Sequence, residues 1–357
     1  MLVKLLSVTD RARFEPVVIS LVDGGELAAD LGSMGIECLS LGMRRSVPNP
    51  LALLGLARQI RRLRPDVVQS WMYHADLLAL LAAAISGRPP VVWNIRHSNL
   101  DQKDSKLGTR MVARLCAMLS YLGPRRILCV SQRARDIHAK LGYRRSLLTV
   151  IPNGFDVERF RPDDEARTSL RREIGVSDGV PLVGIVGRFD PQKDYETFLD
   201  AAARLRRVVP EAQFLLCGAG LEAENPVLHR WVRERDLEAH CRMLGLRRDV
   251  PRVQAALDVG VSSSAFGEGF SNAIAEAMSC AVPCAVTNIG DSALIVAETG
   301  QVVPPRDPVA LADAVARILA LSREERQALG IAARDRICSQ YSLDRVAAQY
   351  QRLYDEL

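Results

Sequence analysis

Two cations flank a short loop that follows the predicted strand Val180–Gly187. Arg188 and Lys193 stand at either end of this loop, directly before a helical pattern that begins at Tyr195. The first amides of a helix are unpaired and carry partial positive charge, so a helix N-terminus beside two cations suits a diphosphate group. The pattern therefore indicates an anion-binding loop. Taken alone, it also fits a loop with exposed charges.

A second group of polar residues contains two glutamates that are eight positions apart, Glu268 and Glu276. Glu268 lies in a loop whose glycines allow a ligand to approach the backbone closely. Glu276 lies on the following helix, about one turn beyond Ser271, whose hydroxyl is placed to cap the helix. Two carboxylates that accept hydrogen bonds from hydroxyl groups would suit sugar recognition. The alternative is a capped helix with an exposed glutamate.

The elements that position these residues alternate along the chain. Short β-branched runs and helical patterns follow one another, which is typical of βαβ units and a parallel sheet. Strands are predicted at residues 16–22, 37–41, 67–70, 91–95, 127–131 and 147–151, and again at 180–187, 213–217, 241–244, 258–262 and 284–286. The pattern predicts two α/β domains, 1–160 and 161–340, joined near residues 155–175, and a final helix at 341–357. Both polar groups follow strands of the second domain and should meet at one sheet edge.

Composition favours an ordinary globular protein. The 357 residues are 48% hydrophobic and 25% charged, with a net charge of +5, as in a two-domain soluble chain. The charge is uneven, since the first 165 residues hold 24 Lys and Arg against 16 Asp and Glu. Basic clusters such as Lys103, Lys106, Arg110 and Arg114 are either solvated helix faces or a surface for an anionic membrane or acidic acceptor. Nucleic acid is disfavoured, because aromatic residues make up 5% and do not interleave with the cations.

Eight scattered cysteines do not indicate a disulfide framework or a zinc site. No C-x-x-C occurs, and Cys280 and Cys284 have no nearby His or Cys to complete a tetrahedral set. We expect buried, reduced cysteines and hence a cytoplasmic protein.

Together, the two polar segments resemble those of glycosyltransferase family 4. The family consists of retaining enzymes of GT-B architecture, with two Rossmann-like doubly wound domains facing a central cleft. The resemblance extends over nearly the whole chain and is strongest over residues 130–307. Its most specific element is the pair Glu268-x7-Glu276, and weaker matching segments lie at residues 130–131, 151–156, 216–220 and 299–305.

The resemblance implies roles for the first segment. Arg188 and Lys193, beside Gly187, would hold the diphosphate of a nucleotide-sugar donor and stabilise the departing nucleotide, on which charge develops as the glycosidic bond breaks. No cofactor and no divalent metal are expected, because the cations and a helix N-terminus take the metal's place. The chain also lacks a D-x-D triplet.

The resemblance also implies roles for the second segment. Glu276 would bind ribose hydroxyls, and Glu268 would contact the donor sugar. Amides around three further residues would meet sugar or phosphate: Gly269, Phe270 and Ser271. The two glutamates are not expected to act as the carboxylate pair of a glycoside hydrolase.

Three residues of the first domain are candidates for the acceptor side. His74 follows one predicted strand, and Arg96 and His97 follow the next. Many relatives place a histidine after the strand matching Val91–Ile95, near the sugar, and either Arg96 or His97 could fill that place. His97 therefore joins Arg188, Lys193 and Glu268 as a candidate catalytic residue. A structural hydrogen-bonding role fits each histidine equally well.

The beginning of the chain departs from the family's pattern. Relatives begin with a strand and a Gly-Gly loop, followed by a helix that resembles Leu2–Val8. The resemblance implies that this sequence enters at that helix, without the first strand of the N-terminal domain. We expect a form extended by ~15–25 residues to be more stable and more active, because a lost strand exposes sheet edges.

Three hypotheses follow. The leading one is a retaining glycosyltransferase that moves a sugar to a glycan, lipid-linked or small acceptor in cell-surface polysaccharide or glycolipid synthesis. It would be cytoplasmic and act at the inner face of the membrane. The second is a nucleotide-sugar epimerase of the same fold, and the third is a catalytically dead nucleotide-binding protein. Dehydrogenases are disfavoured, because no G-x-G-x-x-G follows a strand with an acidic residue about 20 positions on.

Overall fold

The chain folds into two compact units. The computed structural model describes residues 1–22, 26–43, 50–98 and 107–357. One unit comprises Met1–Gly154 together with Leu343–Leu357, and the other comprises Phe155–Ser342. The boundaries predicted from the sequence are 160 and 340. Lys103 and Lys106, from the basic cluster considered above, lie outside the described residues.

The first unit is an α/β unit whose strands form two parallel sheets. One sheet pairs β1 with β2, and the other has the order β3-β4-β5-β6. Its strands are β1 Val18–Val22, β2 Cys38–Met43, β3 Val68–Trp71, β4 Val91–Ile95, β5 Arg126–Cys129 and β6 Leu148–Val150. Its helices are α1 Leu2–Ser7, α2 Glu26–Ser33, α3 Pro50–Leu63, α4 Tyr73–Ala84, α5 Leu107–Leu119 and α6 Gln132–Leu141.

The second unit is built on one parallel sheet. Its strands are β7 Leu182–Val186, β8 Gln213–Cys217, β9 Cys241–Gly245, β10 Val259–Ser262, β11 Cys284–Thr287 and β12 Gly300–Val303. Its helices are α7 Asp164–Glu173, α8 Tyr195–Leu205, α9 Pro226–Arg233, α10 Val250–Ala255, α11 Asn272–Ser279, α12 Ser292–Val296, α13 Pro308–Leu319 and α14 Arg323–Tyr341. The strand order is β12-β11-β10-β7-β8-β9. The unbroken apolar run of β7 explains its place inside the sheet, where helices cover both faces.

The last helix, α15 (Leu343–Asp355), belongs to the first unit. Val346 and Tyr350 pack there in one hydrophobic cluster with Val92 of β4 and Leu128 of β5. The Tyr350 hydroxyl also accepts a 3.0 Å hydrogen bond from the Asn94 side chain. The C-terminal segment is thus part of the core of the N-terminal half.

The region predicted as a polar connection contains a helix. The division before Phe155 assigns residues 155–175 to the second unit, and α7 occupies Asp164–Glu173. Its first turn is capped by Asp163, whose carboxylate accepts from the Ala166 amide at 2.8 Å. The fully buried Arg171 guanidinium donates to Asp258 at 2.5 Å. The acidic sequence is therefore a capped helix start rather than a linker.

All eight cysteines lie within the described residues, and none forms a disulfide. Six are buried, while Cys38 and Cys338 are partly exposed. Burial raises the pKa of the Cys241 thiol to about 12. The prediction that most of the cysteines are buried is confirmed. None of the described helices combines the length and apolarity needed to cross a lipid bilayer.

Candidate active site

The two polar segments of the second unit follow neighbouring strands. The loop with Arg188 and Lys193 follows β7, and the loop with Glu268 follows β10, which pairs with β7 in parallel. The chain builds the sheet outward from β7 through β8 and β9, and then returns to the other side of β7 with β10. In open α/β sheets, such a reversal of strand order leaves a crevice outside the carboxyl ends of the strands, where ligands bind.

Lys193 and Glu268 form a buried ion pair at this point. The Lys193 ammonium lies 2.6 Å from Glu268 Oε2, with side-chain exposures of 17% and 9%. Ser264 Oγ donates to the same oxygen at 3.0 Å, and the side-chain amide of Gln192 donates to it at 3.3 Å. Three donors thus converge on Oε2 and fix the carboxylate. Within the described residues, the side-chain hydrogen bonds of Glu268 all end on Oε2, which points to Oε1 as the oxygen available to a ligand.

Two hydrogen bonds to backbone carbonyls join the same two loops. Ser263 Oγ donates to the Lys193 carbonyl at 2.7 Å. The Ala265 amide donates to the Gln192 carbonyl at 2.9 Å. These bonds hold the backbones beside the ion pair in place, so the pair does not depend on two flexible side chains alone.

Arg188 is the exposed cation of the first loop. Its side chain is 63% exposed, and its Nε donates to Asp190 Oδ2 at 2.9 Å. Burial opposes ionisation of Asp190, but the backbone amide of Gln192 and the Arg188 guanidinium hold the pKa of Asp190 below its ordinary value. Asp190 therefore stays ionised, orders the loop and orients Arg188.

The loops after β7 and β8 approach closely. The Gly187 amide donates to the Cys217 carbonyl at 2.9 Å, and the Tyr195 hydroxyl donates to the Gly187 carbonyl at 2.8 Å. Gly218 has φ +147°, and a Cβ there would lie 2.0 Å from the Gly187 oxygen. Only glycine permits this approach, which fixes the turn that starts the cationic loop.

A further turn supports the Glu268 loop from behind. The Asp291 amide donates to the Gly269 carbonyl at 3.0 Å. Gly290 has φ +63°, and a Cβ there would lie 2.2 Å from the Glu268 carbonyl oxygen. The backbone of residues 268–269 is therefore held by a neighbouring turn as well as by its own side chains.

The start of α11 differs from the predicted cap. Ser271 occupies the N-cap position, but its hydroxyl makes no capping hydrogen bond. The prediction of a hydroxyl cap is wrong: Ser271 has the extended backbone of a residue that precedes a helix, but its side chain does not accept a hydrogen bond from the first amides. Phe270 is buried and stacks on Phe155 with ring centroids 5.7 Å apart. Its side chain belongs to the core, so only its backbone can serve a ligand. Glu276 lies on α11 and is partly exposed.

The three acceptor-side candidates of the first unit differ in burial and in contacts. Arg96 lies over the Trp71 ring, 5.3 Å from its centroid, and donates to Asn153. Burial lowers the pKa of Arg96 and also that of His97, its half-buried neighbour after β4. His74 is exposed in the first turn of α4. Arg96 is thus held by structural contacts, while His74 faces water.

Sequence reasoning missed the residues that hold Glu268. Gln192 and Ser264 donate to its carboxylate, and Ser263 binds the backbone of Lys193. A run of three serines, Ser262–Ser264, stands at the end of β10. Hydroxyls at the carboxyl end of a strand are the signal that could have found them. Within the described ranges, no group of three or more His, Cys, Asp or Glu residues is arranged to hold a metal ion.

Solved structures share this fold. Over 100% of this chain and 95% of its own, the structure of Anabaena HepE in complex with UDP matches at a TM-score of 0.88 and 21% identity. Sucrose-phosphate synthase from Thermosynechococcus elongatus matches at a TM-score of 0.79 and 21% identity, over 99% of this chain and 91% of its own. The two α/β units with parallel sheets have the GT-B fold that the sequence predicted.

Sequence relatives are glycosyltransferases. An Escherichia coli UDP-Gal:α-D-GlcNAc-diphosphoundecaprenol α-1,3-galactosyltransferase is 27% identical over 68% of this chain, and the match spans 63% of that relative's length. A Mycobacterium tuberculosis GDP-mannose-dependent α-(1-6)-phosphatidylinositol monomannoside mannosyltransferase is 27% identical over 85% of this chain and 79% of its own.

Two family domains account for most of the chain. Residues 2–159 match Glycosyltransferase Family 4, and residues 180–321 match Glycosyl transferases group 1. The second match contains both loops that meet at the Lys193–Glu268 pair. The chain belongs to the family 4, or group 1, glycosyltransferases.

Proposed function

We propose that this chain is a retaining glycosyltransferase that moves a sugar from a nucleotide diphosphate donor to a lipid-linked acceptor. The observation that carries the proposal is the buried Lys193–Glu268 pair, 2.6 Å between Nζ and Oε2, at the reversal of strand order between β7 and β10. A cation and a carboxylate fixed side by side at this crevice can bind the two chemically different halves of one donor: its diphosphate and its sugar.

The cations act on the leaving group. As the bond between the sugar and the distal phosphate breaks, negative charge develops on the phosphate oxygen. Lys193 is largely shielded from water, which strengthens its interaction with that charge. Arg188 is exposed and ordered by Asp190, so it can reach the diphosphate from the solvent side. Both cations stabilise the departing nucleotide without a metal ion in this proposal.

The carboxylates act on hydroxyl groups. Glu268 Oε2 is committed to Lys193, Ser264 and Gln192. Oε1 would accept a hydrogen bond from a hydroxyl of the donor sugar. Glu276 would bind the ribose, with the amides at Gly269, Phe270 and Ser271 nearby in the same segment. On the acceptor side, His97 would contact the sugar.

Family membership and relatives support the stereochemistry and the acceptor class. Retention of anomeric configuration is what the family resemblance implies. The E. coli relative is named for a diphosphoundecaprenol-linked acceptor and the M. tuberculosis relative for a phosphatidylinositol mannoside. Both names describe sugars on phosphate-bearing lipids, and a lipid-linked sugar is therefore the acceptor that we propose.

The test is a transfer assay with purified protein. UDP-glucose, UDP-galactose and GDP-mannose are each incubated with a diphosphoundecaprenol-linked sugar or a phosphatidylinositol mannoside, and products are identified by mass spectrometry. We expect one donor to give a product extended by one hexose, with the donor's anomeric configuration by NMR. Lys193→Met should remove this product, while Arg323→Met, at an exposed position in α14, should not.

Two results would overturn the proposal. Conversion of a donor sugar to its epimer without any acceptor would show a nucleotide-sugar epimerase. Tight binding of a nucleotide with no turnover of any donor on any of these acceptors would favour a binding protein.

A further inference from the structure

An unusual apolar stripe lies on the outside of α5 in the first unit. Large hydrophobic side chains recur along Leu107–Leu122 at intervals of four, four, three and four positions. Their exposed fractions run from 38% at Leu115 to 83% at Leu122. The five residues are Leu107, Met111, Leu115, Met118 and Leu122. At 100° per residue, Leu107, Met111, Leu115 and Met118 fall within about a quarter of the circumference of α5. Leu122 follows in the turn after the helix ends.

The opposite face of α5 already forms the core contact. Ala113, Cys116 and Ala117 are buried, and Ser120 Oγ, just beyond the helix, donates to the Ala117 carbonyl at 2.6 Å. The helix therefore has two apolar faces, of which only one is packed within the unit. Single exposed leucines are common on protein surfaces, but a continuous stripe of large apolar side chains marks an interaction surface.

Neighbouring helices add to this surface. α4 packs against both α3 and α5. Leu81 of α4 and Ile85, directly after α4, are exposed, as are Leu51 and Leu54 of α3, with exposed fractions of 42% to 71%. The apolar character is therefore shared by consecutive helices on one side of the first unit.

The charge beside the stripe has one sign. From Leu107 to Arg126 the sequence contains four cations, Arg110, Arg114, Arg125 and Arg126, and no carboxylate. Within the described part of the chain, none of the four forms an ion pair. Arg114 and Arg125 are exposed. The surface thus combines large exposed apolar side chains with arginines that have no ion-pair partner among the described residues.

From these observations we propose that the exposed face of α5 docks on an anionic lipid bilayer. Leu107, Met111, Leu115, Met118 and Leu122 would enter the boundary between headgroups and acyl chains, as the apolar face of an interfacial helix does. The arginines would contact lipid phosphates, each contributing through the negative surface potential of the leaflet. We call Leu107–Arg126 the docking segment.

Charge argues against a second copy of the chain as the occupant. In a two-fold contact the same patch meets itself, so the four arginines of one copy would approach those of the other. The docking segment offers no carboxylate to neutralise them. An anionic membrane satisfies the apolar side chains and the cations together.

The test is flotation of the full chain with vesicles, which needs no substrate or turnover. The probes are phosphatidylcholine vesicles with and without phosphatidylglycerol, at about 0.1 M and about 0.5 M salt. We expect the protein to bind the anionic vesicles at least ~10-fold more strongly than the neutral ones at low salt, and to lose this preference at high salt.

Three variants define the surface. The triple substitution Met111→Gln, Met118→Gln and Leu122→Gln should lower binding to anionic vesicles by ~10-fold or more, because each removes an inserted apolar group. The double substitution Arg114→Gln and Arg125→Gln, made in the otherwise unmodified chain, should lower binding to anionic vesicles by a factor of about 5 or more. It should leave binding to neutral vesicles unchanged. The matched control is Val208→Gln, Val309→Gln and Ile331→Gln, three exposed apolar positions of the second unit. It should bind as the unmodified chain does.

Circular dichroism melting confirms that each variant is folded. Absent binding of the unmodified chain to anionic vesicles at low salt would overturn the proposal. Equal loss in the control would also overturn it. A dimer in sedimentation equilibrium that the apolar triple variant abolishes, without vesicle binding, would assign the surface to a second copy instead. Because no arm measures transfer, the proposed reaction and the docking surface succeed or fail independently.

Discussion

Lys193 and Glu268 are 75 positions apart in sequence, yet their side chains meet at 2.6 Å in a nearly buried ion pair. Removing one partner leaves the other charge without its counterion in a poorly hydrated site, which is more costly than removing both. The pair therefore contributes to the stability of the second unit as well as to donor binding, and the two contributions are separable by experiment.

Stability should show coupling between these two residues. We expect Lys193→Met and Glu268→Gln each to destabilise the protein, and the double variant to be more stable than the sum of the single effects predicts by about 1–3 kcal/mol. Urea unfolding of the four proteins measures this coupling. The matched control is the exposed pair Arg230 and Glu234, 3.7 Å apart, where Arg230→Met and Glu234→Gln should couple by less than ~0.5 kcal/mol. Strict additivity at the first pair would contradict its importance to the fold.

Ser264 should position Glu268 rather than bind the donor. Because Ser264 Oγ donates to Glu268 Oε2 at 3.0 Å, Ser264→Ala removes one of its three hydrogen bonds. We expect kcat to fall by about 3- to 10-fold with little change in donor affinity, which corresponds to the loss of one hydrogen bond of ordinary net strength, about 1 kcal/mol. Steady-state kinetics check the split between kcat and KM. Ser339→Ala, whose exposed hydroxyl bonds to a carbonyl of its own helix, is the control. A rise in KM alone would show a direct contact with substrate.

Glu276 and Lys193 should bind different parts of the donor nucleotide. Calorimetry with the nucleoside diphosphate and with pyrophosphate distinguishes them. We expect Glu276→Gln to weaken nucleotide binding by ~10-fold, about 1.4 kcal/mol, and to leave pyrophosphate binding unchanged, since the part of the donor that Glu276 contacts in this proposal is the ribose. Lys193→Met should weaken both. Glu238→Gln, at an exposed position before β9, should weaken neither. Loss of pyrophosphate binding in the Glu276 variant would place this residue at the phosphates.

The acceptor-side candidates differ in exposure, which predicts different effects of substitution. His97→Ala should lower turnover by ~10-fold or more, about 1.4 kcal/mol, because a contact with the sugar is lost, while donor binding stays unchanged. His74→Ala should leave turnover unchanged, because its side chain faces solvent in the first turn of α4. Arg96→Lys should mainly destabilise the first unit, since Arg96 packs over Trp71 and binds Asn153. Full activity in the His97 variant, together with lost turnover in a folded Arg96 variant, would show that Arg96 acts at the sugar and that His97 does not.

A buried carboxyl group should make the stability of the first unit depend on pH. Asp76 is fully buried and accepts a 2.6 Å bond from Ser70 Oγ. Burial raises its pKa to about 7, although Ser70 and the Asn94 amide partly oppose the shift. Between the ordinary value and about 7, the folded protein holds a proton that the unfolded chain has released. Stability should therefore fall as pH rises through this range.

Asp76→Asn removes this titration. The variant should gain stability relative to the unmodified chain between about pH 4 and about pH 7, on the order of 1 kcal/mol for each unit by which the pKa is raised. Burial lowers the pKa of His138 to about 4, which makes stability rise with pH and so opposes the effect of Asp76. Both proteins contain His138, so its contribution cancels in the difference between their stabilities. Asp66→Asn, at an exposed position of the same unit, should show a constant difference. Parallel curves for Asp76→Asn would mean that the carboxyl group titrates normally.

Buried strands could be predicted from the sequence because their signal is local. Val91–Ile95 and Gln213–Cys217 have the predicted bounds, since a strand covered on both faces needs an unbroken apolar run. α7 was not predicted, because most of its surface is polar and its burial depends on Arg171 reaching Asp258 in a distant segment. A side chain that is buried by long-range hydrogen bonds leaves no apolar pattern in its own neighbourhood.

The sequence by itself determined the residue types of the site, the loops that carry them and the parallel sheet that brings both loops to one edge. Only the tertiary structure decided which strands are neighbours. The placement of β10 beside β7 joins Lys193 to Glu268 and sets Ser264 and Gln192 around the carboxylate. The order of strands depends on the packing of whole helices against the sheet, and a hydrogen bond across 75 positions depends on that order. Neither is encoded in the spacing of residues along a single segment.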